Sequence, residues 1–400
     1  RYQPPTLVGY QSPVLSPDTI DYVIITVDEF VDGFNPLKQW KTQKGVRAEI
    51  VTTDWIYSNY PGRDDAEKIR NFIIDAYNAW GAMYFLLGGQ ADYENGEEFV
   101  PRRDVYYITT GVGLYPDEDT IPTDLYYSDL DGDWNADNDN VWGEREDSVD
   151  LYSDVYVGRA PVKNISQVEN FVNKVINYEQ GVEVGYQTHI MLVGADLWPW
   201  LDYNGDIVSE AISQIVPDGW RETKLYYVWG NLSTQRVIDT INSGVGFAHY
   251  AAHGNEYGVY WEGDGLTNSN LWQLINGYKL GVHNAISCFS GALDEVPGGD
   301  CFAEELVNKP HGGAVATIMN TRYGWGTPPE LGPSERLDTA FYHHLFVDDV
   351  YELGKLHAMA RDDYVPWVTW QDIEAYCIYE LTVFGDPELN LWTTIPGSLY

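Results

Sequence analysis

The chain alternates short apolar runs with stretches in which apolar residues recur at helical spacing. Residues 22–27 form one such apolar run, which predicts a buried strand, and apolar positions recur every three or four residues over 64–80, which predicts a helix packed on a sheet. Alternation of strands and helices is typical of a parallel sheet with right-handed crossovers. The other strands predicted in this half are 48–53, 83–87 and 155–158, and the other helices are 34–45 and 166–179.

The alternation starts again after residues 181–186, which we interpret as the boundary between two halves. Ser166 and Glu169 are spaced as in a capping box, so the last helix of the first half is predicted to begin there. The fold class predicted is α/β, with two doubly wound, mostly parallel subdomains. The second half contains predicted strands at 189–195, 225–229, 246–252, 282–287, 314–319 and 388–392, the last as an edge strand, and predicted helices at 207–215, 233–242, 268–276, 301–308, 334–346 and 350–362.

We therefore divide the 400 residues into an N-terminal extension (1–20), a first α/β subdomain (21–182), a second α/β subdomain (183–393) and a C-terminal tail (394–400). The extension is rich in proline, and we expect a leader or pro-segment to precede it. No apolar run approaches the roughly 20 residues of a membrane-spanning helix.

The charge and the aromatic content of the chain exclude several classes of protein. The chain has 23 Lys and Arg against 61 Asp and Glu, a net charge of −38. Such a chain lacks the basic clusters that neutralise phosphates, so nucleic acids and anionic membranes are not expected partners. Its 15 Trp, 31 Tyr and 12 Phe exclude a disordered chain. An acidic, Asp-rich protein of this kind suits an extracellular location and calcium binding, although a halophilic or cytosolic protein would look similar.

Only three cysteines are present, Cys288, Cys301 and Cys377, and their number and spacing fit neither a disulfide framework nor a zinc site. Cys301 and Cys377 are interpreted as packing residues. Cys288 differs, because it follows an apolar strand, just as His253 and Gly254 follow another. Active sites of open parallel sheets collect beyond the carboxyl ends of the strands, so His253 and Cys288 are predicted to lie side by side.

A cysteine and a histidine in this arrangement predict nucleophilic catalysis. The thiolate attacks, and the imidazole takes and later returns a proton. The backbone N–H groups of Gly254 and Cys288 would bind the oxyanion. The structural alternative is that both residues belong to the core, as we expect for His249 and His283.

The order of these blocks resembles the gingipain family of cysteine peptidases. The resemblance rests on His253-Gly254, Cys288 and Trp325 together with residues 301–304 and 313–316, and it covers about residues 20 to 393 through similar blocks at 34–51, 155–159, 178–179 and 381–389. It implies a caspase-like fold and an endopeptidase that forms a thioester. By position, Cys288 matches the nucleophile, His253 the catalytic histidine and Asp196 an acidic third member that is familiar as Glu.

The resemblance also implies substrate-binding positions. Val208 occupies the place where Arg-specific members carry Asp, and Glu330 is a shifted counterpart of the acid in Lys-specific members. We therefore expect a basic P1 residue, with a hydrophobic P1 residue as the alternative. The predicted substrate-binding residues are Ala251, Ala252, Val208, Tyr323, Trp325 and Glu330.

An acidic segment in the first half alternates oxygen-bearing side chains at every second position. This spacing resembles the start of an EF-hand loop, without its glycine at the sixth position or its glutamate at the twelfth. Closely spaced carboxylates repel each other, which predicts a structural Ca²⁺ site; a solvated acidic loop is the alternative. The predicted ligands are Asp129, Asp131, Asp133, Asn135, Asp137 and Asp139.

The leading prediction is thus a secreted or cell-surface, calcium-stabilised cysteine endopeptidase with no organic cofactor, acting on polypeptides as a monomer and made as a zymogen. One alternative is a secretion-associated member that processes signals and transfers the acyl group to an amine. Another is a non-catalytic acidic binding module. A hydrolase using the carboxylates of the acidic segment ranks last, because that segment lies outside the predicted crevice.

Overall fold

The computed structural model describes residues 19–91, 99–108, 118–201, 203–294, 299–369 and 373–397. Most of the predicted extension (1–20) and the end of the predicted tail (394–400) lie outside these residues. The described strands are β1 (Tyr22–Thr26), β2 (Ala48–Thr52), β3 (Tyr84–Gly88), β4 (Arg103–Ile108), β5 (Glu118–Thr123), β6 (Tyr156–Ala160), β7 (His189–Gly194), β8 (Asp196–Trp198), β9 (Tyr203–Asn204), β10 (Arg221–Tyr226), β11 (Phe247–Ala251), β12 (His253–Asn255), β13 (Gly258–Trp261), β14 (Asp264–Thr267), β15 (Val282–Ile286), β16 (Ala316–Asn320) and β17 (Leu381–Phe384).

Helices flank these strands as the periodicity predicts. Within the described residues, the α-helices are α1 (Val31–Gln43), α2 (Thr53–Asn59), α3 (Asp65–Trp80), α4 (Ile165–Glu179), α5 (Asp206–Ser213), α6 (Thr234–Ser243), α7 (Phe302–Asn308), α8 (Pro333–Phe346), α9 (Leu353–Asp362) and α10 (Glu374–Glu380). None of the helices in this described part is both long enough and apolar enough to cross a membrane.

Ten strands form one sheet in the order β10-β7-β11-β15-β16-β17-β6-β3-β1-β2. All neighbours are parallel except β16 and β17, so the strands of the two halves run in opposite directions. The predicted α/β class with mostly parallel strands in each half is confirmed. The halves are joined through β17, which pairs with β16 on one side and with β6 on the other.

The prediction of a final edge strand at 388–392 is wrong. The last strand is β17, which is fully buried in the middle of the sheet. Beyond it, Asp386 and Glu388 contact the ammonium group of Lys41 on α1, at 2.5 and 2.6 Å. Buried ion pairs thus hold the segment after β17 against a helix of the first half.

Side chains cap the first turns of α3 and α4, and the cap of α4 differs from the predicted one. At the start of α3, the Asp64 carboxylate accepts a hydrogen bond from the Glu67 N–H, and Gly81 ends the helix with a φ of 75°. Helix α4, in contrast, is capped by Asn164, whose side chain accepts from the Gln167 N–H at 3.0 Å. The predicted capping box at Ser166 is wrong, because Asn164 has the extended backbone that a cap requires and Ser166 is already inside the helix.

Candidate active site

Three neighbouring parallel strands end at the candidate active site. Strand β11 lies between β7 and β15, with Ala251 in register with Gly194 on one side and Ile286 on the other. Asp196, His253 and Cys288 each follow the end of one of these strands by two residues. Because the strands are parallel and adjacent, their carboxyl ends bring these three residues to one edge of the sheet, as the sequence predicts.

A glycine holds the histidine segment against the nucleophile segment. A Cβ added to Gly254 would lie 2.6 Å from the Cys288 carbonyl oxygen and 2.7 Å from the Ser287 Cβ, so only glycine fits there. His253 is exposed and begins β12, the first strand of a small antiparallel sheet formed with β13 and β14. The His253 side chain is thus exposed to solvent on a segment that packs against the half-buried Cys288.

The surroundings of Cys288 favour the neutral thiol. Burial, together with the charge of the Glu380 carboxylate, raises the pKa of the Cys288 thiol to about 11, whereas backbone hydrogen bonding at Gly324 and at Cys288 itself acts in the opposite direction. Its Sγ lies 3.9 Å from the Gly324 carbonyl oxygen. A base is therefore needed to generate the thiolate at neutral pH.

The backbone turns sharply directly after the nucleophile. Phe289 has a φ of 59°, a left-handed conformation that is uncommon for a residue other than glycine. The turn is held by a hydrogen bond from the Phe289 N–H to the Arg322 carbonyl at 2.8 Å, and the Phe289 ring packs edge-on against Tyr323. Strained residues of this kind cluster at active sites, where the surrounding structure holds them in place.

Asp196 lies on the hairpin that follows β7. It begins β8, and the β8–β9 hairpin sits so close to β11 that a Cβ on Gly205 would lie 2.3 Å from the Ala251 carbonyl oxygen. The side chain is half-buried, and its Oδ1 has no hydrogen-bond partner among the described residues. A shielded carboxylate oxygen of this kind is an acceptor available to an imidazole N–H.

The six predicted substrate-binding residues fall into two groups. Ala251, Ala252 and Val208 are buried, and Val208 packs inside the core from α5 with no exposed surface, so it cannot contact a substrate in this conformation. Tyr323, Trp325 and Glu330 lie on the segment between β16 and α8, where Tyr323 and Glu330 are exposed and Trp325 is half-buried. This is the segment whose Gly324 carbonyl contacts Cys288.

One aromatic residue near the site was not among the predicted residues. A Cβ on Gly326 would lie 2.5 Å from the Trp198 ring, so Trp198 packs on the segment that carries Tyr323 and Trp325. Trp198 lies only two residues after Asp196 and is paired with the same hairpin. That short spacing was the available signal, although the pairing shifts register between the two residues, so strand alternation alone does not place Trp198.

The remaining histidines and cysteines near the sheet are structural. His249 is fully buried and lies 2.8 Å from the Asp338 carboxylate on α8. Burial lowers the pKa of His283 to about 3, and its Nδ1 lies 3.0 Å from the Tyr250 hydroxyl. Cys301 and Cys377 are free and completely buried, which confirms that they are packing residues.

The structure does not bring the six predicted calcium ligands together. An antiparallel bridge between Asp133 and Ser148 turns the chain between them and separates two acidic clusters. Asp133 belongs to neither cluster, which corrects the prediction of one continuous ligand loop. The Asn135 side chain is buried, and its Oδ1 and Nδ2 have no hydrogen-bond partner among the described residues, so its role as a ligand stays a prediction. The first cluster consists of Asp129, Asp131 and Asp154, and the second of Asp137, Asp139 and Glu144.

The first cluster is the more shielded one. Burial raises the pKa of Asp129 to about 6, although its oxygens accept hydrogen bonds from the Gly132 N–H and the Trp134 indole. Burial and the Asp129 charge raise the pKa of Asp150 to about 7, and burial also raises the pKa of Asp154. These carboxylates thus raise the cost of each other's ionisation, which a bound cation would relieve. Asp154 and Asp150 were missed because they come from the far end of the segment.

Comparison with known proteins assigns the chain to a family. The model of peptidase family C25 matches residues 15–392, so the chain belongs to this family. Among curated proteins of Porphyromonas gingivalis, Lys-gingipain is 25% identical over 316 residues, covering 76% of this chain and 16% of that protein. Gingipain R2 is 23% identical, covering 97% of this chain and 48% of that protein. The chain therefore spans less than half the length of these relatives.

Solved structures show the same fold. The crystal structure of the Arg specific cysteine proteinase gingipain R aligns with a TM-score of 0.70 at 20% identity, covering 97% of this chain and 82% of that chain. The complex of Porphyromonas gingivalis RgpB pro- and mature domains aligns with a TM-score of 0.66 at 20% identity, over 94% and 81% of the two chains. The resemblance to the gingipain-like cysteine peptidases and the caspase-like fold class are confirmed.

Proposed function

We propose that this protein is a cysteine endopeptidase in which Cys288 is the nucleophile and His253 the general acid and base. The observation that supports this most strongly is the convergence of Asp196, His253 and Cys288 at the carboxyl ends of three adjacent parallel strands. Membership of a peptidase family supports the same reaction class. The alternative that His253 and Cys288 are core residues is disfavoured, because His253 is exposed and Cys288 is only half-buried.

The reaction proceeds through an acyl-enzyme. His253 takes the proton from the Cys288 thiol, and the thiolate attacks the carbonyl carbon of the scissile peptide bond. The C–N bond breaks as His253 returns the proton to the leaving amine, and a thioester remains on Cys288. Water, losing a proton to His253, then attacks the thioester and releases the carboxylic acid and the free thiol.

Backbone groups stabilise the charge that develops. The N–H groups of Gly254 and Cys288 are the proposed donors to the oxyanion, and the close packing of these two segments holds the donors in place before substrate arrives. Asp196 acts as a positioning residue, because its unpartnered oxygen can accept the second imidazole N–H of His253 and stabilise the imidazolium.

For specificity, we infer a basic P1 residue. The names of the relatives indicate cleavage after Lys and Arg in those proteins. Here the exposed Glu330 supplies a carboxylate on the segment that passes Cys288, and Tyr323 and Trp325 flank it with rings on which a long aliphatic stem can pack. The net charge of −38 also attracts basic peptides. A hydrophobic P1 residue is the alternative, because the rings of Tyr323 and Trp325 could equally pack on an apolar side chain.

Cleavage-site mapping tests the reaction and the specificity together. A denatured proteome digest is incubated with the wild type, with Cys288→Ala and with Cys301→Ala as the matched control, and new peptide termini are read by mass spectrometry. We expect new termini with the wild type and with Cys301→Ala, mostly after Lys or Arg, and none with Cys288→Ala. Equal profiles for all three proteins would contradict the peptidase and favour a binding module. Added amines appearing on the new carboxyl termini would identify acyl transfer.

We also propose a structural Ca²⁺ at the first acidic cluster, with Asp129, Asp131 and Asp154 as ligands. Ca²⁺ takes six to eight oxygen ligands, so backbone carbonyls and water would complete the shell. The raised carboxyl pKa values support the proposal, because a divalent cation offsets their mutual repulsion. The ion would stabilise the segment between β5 and β6 and takes no part in the reaction.

A calcium-stabilised peptidase is best suited to an extracellular setting, where Ca²⁺ reaches the concentrations that weak modules need. We therefore propose a secreted or surface-bound monomer that is kept inactive by a pro-segment until processing. The structure of RgpB in complex with its pro-domain supports a pro-segment by analogy. Cell fractionation with an antibody to this chain, together with N-terminal sequencing of the mature form, tests both points.

A further inference from the structure

Two histidines and an aspartate meet at the end of helix α8, away from every residue discussed above. His343 and His344 lie in the last turn of α8, and Asp348 lies on the loop that leads to α9. The Asp348 Oδ2 is 3.4 Å from the His343 Nδ1 and 2.7 Å from the His344 Nδ1. A tetrahedral ion with bonds of about 2.0–2.1 Å separates its ligands by about 3.3 Å. The three ligand atoms lie within 4.8 Å of one another, so an ion that displaces the hydrogen bond between His344 and Asp348 can be shared by all three.

A second carboxylate lies behind His344. The other ring nitrogen of this residue, Nε2, is 3.1 Å from the Asp363 Oδ2 at the end of α9. The angles fall short of a hydrogen bond, and Nε2 has no hydrogen-bond partner in the described part of the chain although it is buried. Metal-binding histidines commonly donate their second N–H to a carboxylate, which fixes the ring and leaves the first nitrogen free to bind.

The backbone around the cluster also favours a cation. The His343 carbonyl accepts from the Val347 N–H at 2.8 Å, and this turn bends the chain so that Asp348 faces the helix end. Asp349, in the left-handed region with a φ of 55°, completes the turn. The carboxyl end of a helix carries partial negative charge, which attracts a cation placed there.

We propose that His343, His344 and Asp348 form a binding site for a divalent transition metal of the Zn²⁺ type, with water in the remaining position. Two imidazoles and one carboxylate suit such an ion, whereas Ca²⁺ prefers oxygen ligands alone. Once the ion is bound, a rotation of the His344 ring would let Asp363 accept its Nε2–H and orient it. The ion fastens the end of α8 to the loop and to α9. Helix α8 also carries Asp338, the partner of His249 on β11, so the site stabilises a helix that packs on the strand preceding His253.

Zinc titration tests the site. The Cys288→Ala chain, which lacks the only partly exposed thiol, is titrated with ZnCl₂ by calorimetry in a buffer that contains CaCl₂ to fill the acidic clusters. The same background receives His343→Gln, Asp348→Asn and the double substitution, all at exposed positions, so that folding is preserved and can be checked by circular dichroism. His311→Asn, an exposed histidine outside the cluster, is the matched control. Asp363→Asn tests the orienting carboxylate.

We expect one zinc ion per chain with a melting temperature that rises on binding. Each single ligand substitution should weaken zinc binding at least tenfold, the double substitution should abolish it, and Asp363→Asn should weaken it roughly tenfold. His311→Asn should leave it unchanged. Co²⁺ in place of Zn²⁺ should give a visible absorption band that the double substitution removes. Zinc affinity within twofold of the parent in the double variant, or no zinc binding by the parent, would overturn the proposal.

Discussion

Gly254 and Cys288 are in contact through their backbones, since a Cβ on Gly254 would lie 2.6 Å from the Cys288 carbonyl oxygen. The segments that follow β11 and β15 are therefore in van der Waals contact at the point where each presents its functional group. The relative position of His253 and Cys288 is thus determined by packed backbone rather than by two mobile side chains. This is how a shallow, partly exposed site can remain ordered before a substrate binds.

Substituting Gly254 with alanine should separate the two segments. We expect Gly254→Ala to lower kcat/KM by about 100-fold, because a displacement of about 1 Å at a catalytic group has an effect of that size. Gly397→Ala is the matched control, since a Cβ there meets no atom within 4 Å. Peptide hydrolysis and thermal unfolding should be measured for both. A fully active Gly254→Ala would show that the contact does not position the site.

Asp196→Asn tests the proposed orienting role. Asparagine keeps the shape but can turn an N–H toward His253, which disfavours the productive ring orientation. We expect kcat to fall on the order of 100-fold with little change in KM, and the pH profile of kcat/KM to shift. Asp218→Asn, at an exposed loop position, should match the wild type. If kcat/KM falls by a similar factor only because KM rises, Asp196 contacts the substrate and does not position His253.

Alkylation of the thiols tests the link between Cys288 and His253. The pKa of the Cys288 thiol is raised to about 11 by burial, so its thiolate fraction grows about tenfold per pH unit below that value. We expect iodoacetamide to label Cys288 rapidly at pH 7 in the wild type. In His253→Ala, labelling should be slow at pH 7 and should rise steeply toward pH 10.

Mass spectrometry of the labelled peptides supplies the internal control. Cys301 and Cys377 are completely buried and should stay unlabelled in the folded protein and react only after denaturation. Labelling of Cys288 that is equally fast with and without His253 would argue against the dyad.

The spacing of apolar residues predicted helices and strands correctly where the local side-chain pattern is enough to determine them. Helix α3 was predicted at 64–80 and occupies Asp65–Trp80, because its apolar face, its Asp64 cap and its terminal Gly81 all agree. The alignment of His253 and Cys288 was also predictable, since parallel strands place their carboxyl ends together. The correct predictions thus rest on local signals and on sheet topology.

The wrong predictions concern segments whose structure is determined by contacts between residues far apart in the sequence. Strand β17 has only four residues and follows α10 directly, so nothing in its own sequence indicates that it joins two half-sheets. In the acidic segment, regular spacing suggested one loop, whereas the bridge between Asp133 and Ser148 folds the chain and recruits Asp154 and Glu144 from further along. The spacing of residues along the chain does not show which residues pair across a turn.

Removal of calcium from suitable variants shows which of the two acidic clusters binds the ion. If the first cluster binds Ca²⁺, EDTA should lower the melting temperature by several degrees and CaCl₂ should restore it, since a ligand at 100 times its Kd contributes about 2.7 kcal/mol. Asp131→Asn should abolish this response, whereas Asp137→Asn, in the second cluster, should retain it. Scanning calorimetry measures both variants. A response lost only in Asp137→Asn would move the site to the second cluster, and no response in the wild type would exclude it.

The buried ammonium group of Lys41 connects the first half to the end of the chain. It lies 3.1 Å from Glu179, 2.5 Å from Asp386 and 2.6 Å from Glu388, all of them buried. Lys41→Met leaves Glu179 and Glu388 with Lys44 and removes the ammonium group that pairs with the buried Asp386, so unfolding in urea should show a loss of about 3–5 kcal/mol. Lys38→Met, on the same helix in a half-exposed pair with Glu49, should cost at most about 1 kcal/mol. Similar losses for the two variants would show that the buried cluster does not hold the chain end to α1.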